Sequence, residues 1–253
     1  MTNIILSGCN GKMGRVITKL ASSDTDCKIV AGLDINDYCE NDYPVFTDLS
    51  KCDIKADVII DFSHPSALSG VLKFAKEKNI PAIISTTGLS CEQKDEILDA
   101  SHTIPIFFSA NMSLGINLLS ALAKKAAKLL YGNFDIEIIE KHHNQKIDAP
   151  SGTALLLADS ISDELSENVE YIYDRHSTRK KRSKNEIGIH SIRGGSIVGE
   201  HEVIFAGQDE VIELKHQATS KEVFAVGSIK AAKFICGKPA KIYDMNDLIG
   251  EMI

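Results

Sequence analysis

The sequence predicts an α/β protein: a doubly wound parallel sheet, followed by a second, α+β domain carrying a mixed or antiparallel sheet. Short Ile- and Val-rich runs alternate with helical segments up to residue 112, as βα units require. The first run passes through a glycine turn directly into a helix. Beyond residue 113 the alternation stops, and a long helix is followed by strands with short connections.

The apolar run Asn3-Ile4-Ile5-Leu6-Ser7 leads into Gly8-Cys9-Asn10-Gly11-Lys12-Met13-Gly14, and a helical pattern then runs from Arg15 to Ala21. Glycines at this spacing permit a tight turn, let backbone amides approach a pyrophosphate and let the helix pack close to the strand, which makes the wound domain one of the Rossmann type. A second strand, Lys28 to Leu33, ends in Asp34, about 20 residues beyond the turn, where an acidic side chain would hold the ribose hydroxyls of a dinucleotide. Next come Asp57-Val58-Ile59-Ile60-Asp61, a helix opened by Ser63-His64-Pro65-Ser66, the strand Ala82-Ile83-Ile84, a helix from Ser90 to Ala100 and the strand Ile104 to Phe108. Phe62-Ser63-His64, Ser85-Thr86-Thr87-Gly88 and Ser109-Ala110-Asn111-Met112 follow these strands at the carboxyl edge, where such sheets bind ligands.

From Ser113 a helix runs to near Leu130, a strand covers Phe134 to Ile139, a helix follows Gly152, and strands lie around Ile187, Val203 and Val211. Val223 to Cys236 returns to a helical period and is expected to pack back on the first domain. The expected domains are therefore 1–112 with 222–253, and 113–221.

The 253 residues can bury one large core or two modest ones, and 43% hydrophobic with 25% charged residues is ordinary for a globular protein. The formal net charge of -7 argues against nucleic acid as the main partner. Arg179-Lys180-Lys181-Arg182-Ser183-Lys184 reads as a mobile, solvated loop. No apolar run approaches the length of a bilayer span, and the N-terminus enters a strand with no secretory leader, so a cytoplasmic protein without a membrane partner is expected. Cys9, Cys27, Cys39, Cys52, Cys91 and Cys236 show no paired spacing, which predicts reduced thiols and neither a zinc site nor a disulfide framework.

The densest chemistry lies in Glu140-Lys141-His142-His143-Asn144-Gln145-Lys146-Ile147-Asp148-Ala149-Pro150-Ser151-Gly152-Thr153-Ala154. A strand delivers two histidines and Lys146 into a loop, and the loop ends where Pro150 and Ser151 open a helix. The amides of Gly152 and Thr153 then stand at the positive end of a helix dipole, a site for a carboxylate or phosphate. Proton donors, a cation and an anion-binding turn in one segment read as an active site for an anionic small molecule. His142 and Lys146 are the candidates for proton transfer, and the sequence leaves open which of them delivers the last proton. The paired histidines lack a Glu or Cys partner at ligand spacing, so no metal is expected.

These residues carry a resemblance. Gly8 to Gly14, Asp61-Phe62-Ser63, Thr86-Thr87-Gly88, Ser109 to Asn117, Glu140 to Ala154 with its His-His-x-x-Lys-x-Asp-Ala-Pro-Ser-Gly-Thr-Ala element, Arg193 to His201 and His216 to Gly227 make the chain similar to the bacterial dihydrodipicolinate reductases, also called 4-hydroxy-tetrahydrodipicolinate reductases. The resemblance implies reduction of a cyclic imine dicarboxylate by NADH or NADPH in lysine and diaminopimelate biosynthesis. It assigns catalysis to His142 and Lys146, substrate contacts to His143, Gly152 and Thr153, and cofactor contacts to Gly8, Cys9, Asn10, Gly11, Lys12, Met13, Asp34, Ser85, Thr86, Thr87, Ser109, Ala110, Asn111 and Met112. It also implies a homotetramer joined through sheets of the second domain. Two positions depart from the pattern: Ser85 stands where many members have glycine, and Ile35 where members using both cofactors often carry an arginine. With Asp34 beside it, that points to NADH as the favoured cofactor. Two rival readings use the same residues, a different NAD(P)-dependent dehydrogenase and a dinucleotide sensor without turnover; the convergent proton donors speak against the sensor.

Overall fold

The structure is a computed structural model and describes residues 1–165 and 168–252. The chain divides into two compact units, Met1–Leu114 with Glu222–Ile253, and Gly115–Lys221. In the first, β1 (Thr2–Ser7), α1 (Lys12–Ser22), β2 (Cys27–Leu33), β3 (Val45–Phe46), β4 (Val58–Asp61), α2 (Leu68–Lys78), β5 (Ala82–Ile84), α3 (Cys91–Ser101) and β6 (Ile106–Phe108) follow in order. The second contains α4 (Leu114–Leu130), β7 (Asp135–His142), α5 (Gly152–Ser162), β8 (Glu170–Ile172), β9 (Glu186–Arg193), β10 (Gly199–Ala206) and β11 (Val211–Ala218). The chain then returns to the first unit with α6 (Glu222–Ile235), β12 (Ile242–Tyr243) and α7 (Met245–Met252).

The first unit is built on a seven-stranded parallel sheet of order β12-β6-β5-β4-β1-β2-β3. Its central strands are apolar without alternation, and every residue of β4 is buried, as helices on both faces demand. Ile4, Leu6, Ile60 and Ile83 join α1 and α6 in one core, while Ile5, Ile59, Ile84 and Phe74 form the other. Each such side chain contributes about 1.5–3 kcal/mol on burial, so the centre of the sheet anchors the unit. Local chemistry sets the helix ends. Ser90 and Gln93 form a reciprocal capping box on α3, and Asn79 closes α2 in the left-handed region at φ 51°. The wound sheet and its five main strands follow the sequence pattern. β3 and β12, two residues each, extend it at both edges without a pattern of their own.

The second unit carries a five-stranded sheet of order β11-β10-β7-β9-β8. It is mixed: β10 runs antiparallel to β7 and β11, whereas β7 and β8 run parallel to β9. Ile136 and Ile138 of β7 pack with Val203 and Phe205 of β10 beneath Leu119 and Ala123 of α4 and Leu157 and Ile161 of α5.

The basic segment corrects the expectation of a solvated loop at one residue. Arg182 is only 17% exposed in its side chain and pairs with Asp135 at 3.0 Å and Glu137 at 3.1 Å. It also donates to the carbonyls of Ile136 and Glu186. Arg175 joins the same group through Glu137 and Glu186. The counter-charges sit on other strands, so charge patterning along the segment could not reveal them.

Candidate active site

Alternation along β7 builds the floor of the site. Successive side chains point to opposite faces, so Ile136, Ile138, Glu140 and His142 share one face and Glu137, Ile139 and Lys141 the other. On β10, Phe205, Val203, His201 and Gly199 share a face in the same way, with Phe205 opposite Ile136, Val203 opposite Ile138 and His201 opposite Glu140. The covered face of the sheet thus changes from apolar to ionisable toward the end of β7, where Arg193 of β9 is the register partner of His142.

Glu140 is the hub of that polar end and has no exposed surface. Its Oε2 lies 2.6 Å from His142 Nδ1 and accepts from Arg193 Nη1 at 2.8 Å. Its Oε1 accepts from Arg193 Nη2 at 2.6 Å and from the Ser151 amide at 3.0 Å. Burial works against the carboxylate, but the hydrogen bonds from Arg193 and His142 outweigh it and hold its pKa at about 2. Ionised Glu140 accepts only, so the proton it shares with His142 sits on Nδ1, and the ring nitrogen that Glu140 does not engage is Nε2. Nε2 faces Gly199, where a Cβ would stand 3.2 Å away. Glycine at this position leaves the nitrogen uncrowded.

Burial lowers the pKa of His142, and the hydrogen bond and charge of Glu140 oppose that shift without cancelling it. His201 packs edge-on against the His142 ring at 5.2 Å between centroids. Burial, with the charge of His142 added, pushes His201 down to about 3, so it is neutral at working pH. Its Nε2 is hydrogen-bonded to Ser151 Oγ at 3.0 Å, and that oxygen accepts the Ala154 amide at 3.2 Å as the N-cap of α5. Gly152 and Thr153 follow as the first residues of α5. Lys146 is placed in the loop by its amide, which donates to the His143 carbonyl at 3.1 Å, and its ammonium pairs with Asp148 at 2.8 Å. Arg193 Nη2 also donates to the Asp148 carbonyl at 2.6 Å, tying the loop to β9.

His142, Lys146, Ser151 and the α5 start therefore belong to one hydrogen-bonded assembly of the second unit. Sequence spacing assigns no role to three members of it, Glu140, Arg193 and His201. A signal existed for Glu140, which stands two residues before His142 in a strand and so shares its face. Arg193 and His201 come from strands about 50 residues away in the chain, and local spacing cannot reveal them.

In the first unit, Gly8 turns the chain at φ +77°, a conformation that costs glycine little, and a Cβ there would meet the Phe62 carbonyl oxygen at 2.6 Å. Gly11 is the N-cap of α1 and offers no side-chain cap, so the first-turn amides, including those of Lys12 and Met13, are left for a ligand. Asp34 is fixed beside the turn: Oδ2 accepts the Asn10 amide at 2.9 Å and Oδ1 the Ile35 amide at 2.8 Å. A cavity of about 830 Å³ runs along this edge, lined by Gly8, Asn10, Gly11, Asp34, His64 and Thr87 among others. A second, of about 280 Å³, is lined by Met13, Ser85, Thr86, Thr87, Ala110 and Met112. Uncapped amides, a glycine cradle that a Cβ would fill and a carboxylate with remaining lone pairs fit a dinucleotide. The other expected contacts have different places. Against the expectation of a cofactor contact, Cys9 is wholly buried with its amide bonded to the Leu33 carbonyl at 3.4 Å, and Ser109 and Asn111 brace their own turn, the Ser109 hydroxyl donating to the Asn111 carbonyl at 2.9 Å. Thr86 donates to buried Asp61 at 2.5 Å.

Comparison with known proteins joins the two units to one family. Residues 2–112 match the N-terminal family model of dihydrodipicolinate reductase and residues 115–249 its C-terminal model. The chain belongs to the dihydrodipicolinate reductase family. Among its relatives, a 4-hydroxy-tetrahydrodipicolinate reductase of Clostridium tetani is 54% identical over 98% of this chain and 97% of its own. A protein of the same description from Caldanaerobacter subterraneus is 53% identical over 98% of both chains. The solved structure of a dipicolinate-bound dihydrodipicolinate reductase from Paenisporosarcina sp. TG-14 superposes with a TM-score of 0.82 at 24% identity, covering 97% of this chain and 99% of the other. As a member of the family the chain is an oxidoreductase with a dinucleotide-binding domain of the Rossmann type, and the mixed sheet belongs to the family's C-terminal half.

Proposed function

We propose that this chain reduces 4-hydroxy-tetrahydrodipicolinate to tetrahydrodipicolinate with NAD(P)H, in lysine and diaminopimelate biosynthesis. A hydride and a proton are added and water leaves; the cofactor, when bound, supplies the hydride. The chain's own task is to hold a dicarboxylate and deliver the proton. In this reading the amides of Gly152 and Thr153 at the start of α5, with Lys146 and His143, bind the carboxylates, and His142 protonates from Nε2. Gly8 to Met13 and Asp34 hold the dinucleotide, with Ser85 to Thr87 and Ser109 to Met112 completing its site along the sheet edge. The observation that carries the proposal is the polar end of β7, where His142 is joined through Glu140 to the N-terminus of α5.

Turnover of the heterocycle with NADH and with NADPH tests it directly. Pyridine-2,6-dicarboxylate, a planar ring with two carboxylates, is expected to inhibit competitively against the heterocycle. A chain that oxidises neither cofactor in the presence of the heterocycle would exclude the activity.

NADH is expected to be the better cofactor. Asp34 keeps lone pairs for both ribose hydroxyls but repels a 2′-phosphate, and the neighbouring side chain, Ile35, is exposed and carries no charge. Two cations limit the preference: Lys12 in the turn, and Arg15, whose Nε donates to the Asn10 carbonyl at 3.1 Å. The expected ratio of kcat/KM is about tenfold or less, equivalent to up to ~1.4 kcal/mol. A preference for NADPH at fixed ionic strength would mean that the cations outweigh Asp34.

The same proposal includes a cytoplasmic homotetramer assembled through the mixed sheet. All six cysteines are free, which suits a reducing compartment. β11, eight residues long at the edge of its sheet, suits assembly because its outer backbone groups remain available for pairing.

A further inference from the structure

We infer that Glu140 is the positioning residue of the site: it fixes the Nδ1–H tautomer of His142 and ties the ring to the start of α5. The inference rests on the reading of His142 as proton donor for its catalytic consequence, though the hold on the ring is a separate matter that can be measured by itself.

The geometry is specific. Both oxygens of one fully buried carboxylate are engaged, Oε2 by His142 Nδ1 and Arg193 Nη1, Oε1 by Arg193 Nη2 and the Ser151 amide. Among the described residues Glu140 is the acceptor for His142 Nδ1, and a histidine whose one nitrogen is bound to a carboxylate presents the other as the working atom. The charges around the ring pull in opposite directions. Glu140 on β7 favours the imidazolium; Arg193 on β9, Lys146 in the following loop and burial disfavour it, and His201 on β10 is neutral. Glu140 is thus the anion that keeps His142 protonatable in this surround. Because Oε1 also receives the Ser151 amide, the proton donor and the anion-binding helix start are held by the same side chain, which fixes one relative to the other.

Glu140→Gln separates this role from a structural one. The amide oxygen of the introduced glutamine would turn to the two donors that converge on Oε1 of Glu140, Ser151 N–H and Arg193 Nη2, and its NH2 would then face His142 Nδ1. The ring must respond by accepting at Nδ1 and carrying its proton on Nε2. Nitrogen-15 NMR of histidine-labelled protein, with His142 assigned by its loss in a His142→Asn sample, reads the tautomer and the titration midpoint together. Inversion to the Nε2–H form is expected, with a midpoint about one unit lower. A proton donor works below its pKa, so the limb on which kcat falls with rising pH should move toward acid by the same amount, and kcat on that limb should drop roughly tenfold. A purely structural role would lower Tm or the active fraction equally at all pH and leave the limb where it was.

Glu140→Gln leaves Arg193 without its anion and so risks misfolding; Glu140→Gln with Arg193→Gln removes both charges and keeps the Ser151 donor that orients the amide. The same inversion is expected there. An Nδ1–H tautomer and an unmoved midpoint in a folded variant would overturn the inference. If the ring inverts while the rate profile stays fixed, the hold of Glu140 stands and His142 is removed from proton delivery.

Discussion

Replacing His142 or Lys146 by alanine is expected to lower kcat by about two orders of magnitude or more, with folding retained. The two losses have different physical origins. His142→Ala removes Nε2, the only nitrogen of that ring not committed to Glu140, while Glu140 keeps Arg193 and the Ser151 amide as partners. No buried charge is left unpaired, so Tm should change little. Lys146→Ala removes a cation whose partner, Asp148, is itself 58% exposed and can be solvated when the lysine is gone. Lys146→Ala should also raise KM for the heterocycle, because the ammonium is proposed to meet a substrate carboxylate in place of Asp148, whereas His142→Ala should act chiefly on kcat. Steady-state kinetics with thermal denaturation of each variant separate these effects. Near-normal turnover in a variant of intact Tm would remove that residue from the mechanism.

Residues close together in the chain made most of this legible. The strand, glycine turn and helix of residues 3–21 form one local unit, and so does the passage from β7 through the loop to α5; in both, capping and turn chemistry point the same way as hydrophobic period. The alternation Ile136, Ile138, Glu140, His142 is also local, and it was open to a reading by strand period that would have paired the glutamate with the histidine. What stayed hidden depends on register. Which strand lies beside β7, and hence that Arg193 and His201 close around Glu140, is decided by packing of the whole sheet. Arg182 is the same case in a charge run: its neighbours in sequence are exposed and solvated, yet it is drawn in by Asp135 and Glu137 of β7. The short edge strands β3 and β12 escape for another reason, since two residues carry no period.

Gly14→Ala is expected to cost about 3 kcal/mol of stability, toward the upper end of what overpacking a tight site costs, and to weaken dinucleotide binding severely. A Cβ at this position would stand 2.2 Å from the Gly8 carbonyl oxygen, 2.5 Å from that of Cys9 and 2.6 Å from the Cys9 carbonyl carbon. All three are backbone atoms of the turn, so no side-chain rotation relieves the overlap. Either α1 moves away from the turn or the turn opens, and both displace the Gly11 cap and the first-turn amides that would receive the pyrophosphate. Alanine is the better helix former by up to about 1 kcal/mol, too little to offset the overlap. Gly70→Ala provides the control. It lies within α2 and its Cβ would meet only the Leu49 side chain, at an ordinary 3.4 Å, so that helix gain should appear as an equal or slightly higher Tm with unchanged cofactor affinity. Thermal melts and NADH titration by fluorescence on the two variants give the comparison. If Gly14→Ala melted and bound like Gly70→Ala, the close approach of α1 to the turn would not be what shapes the dinucleotide site.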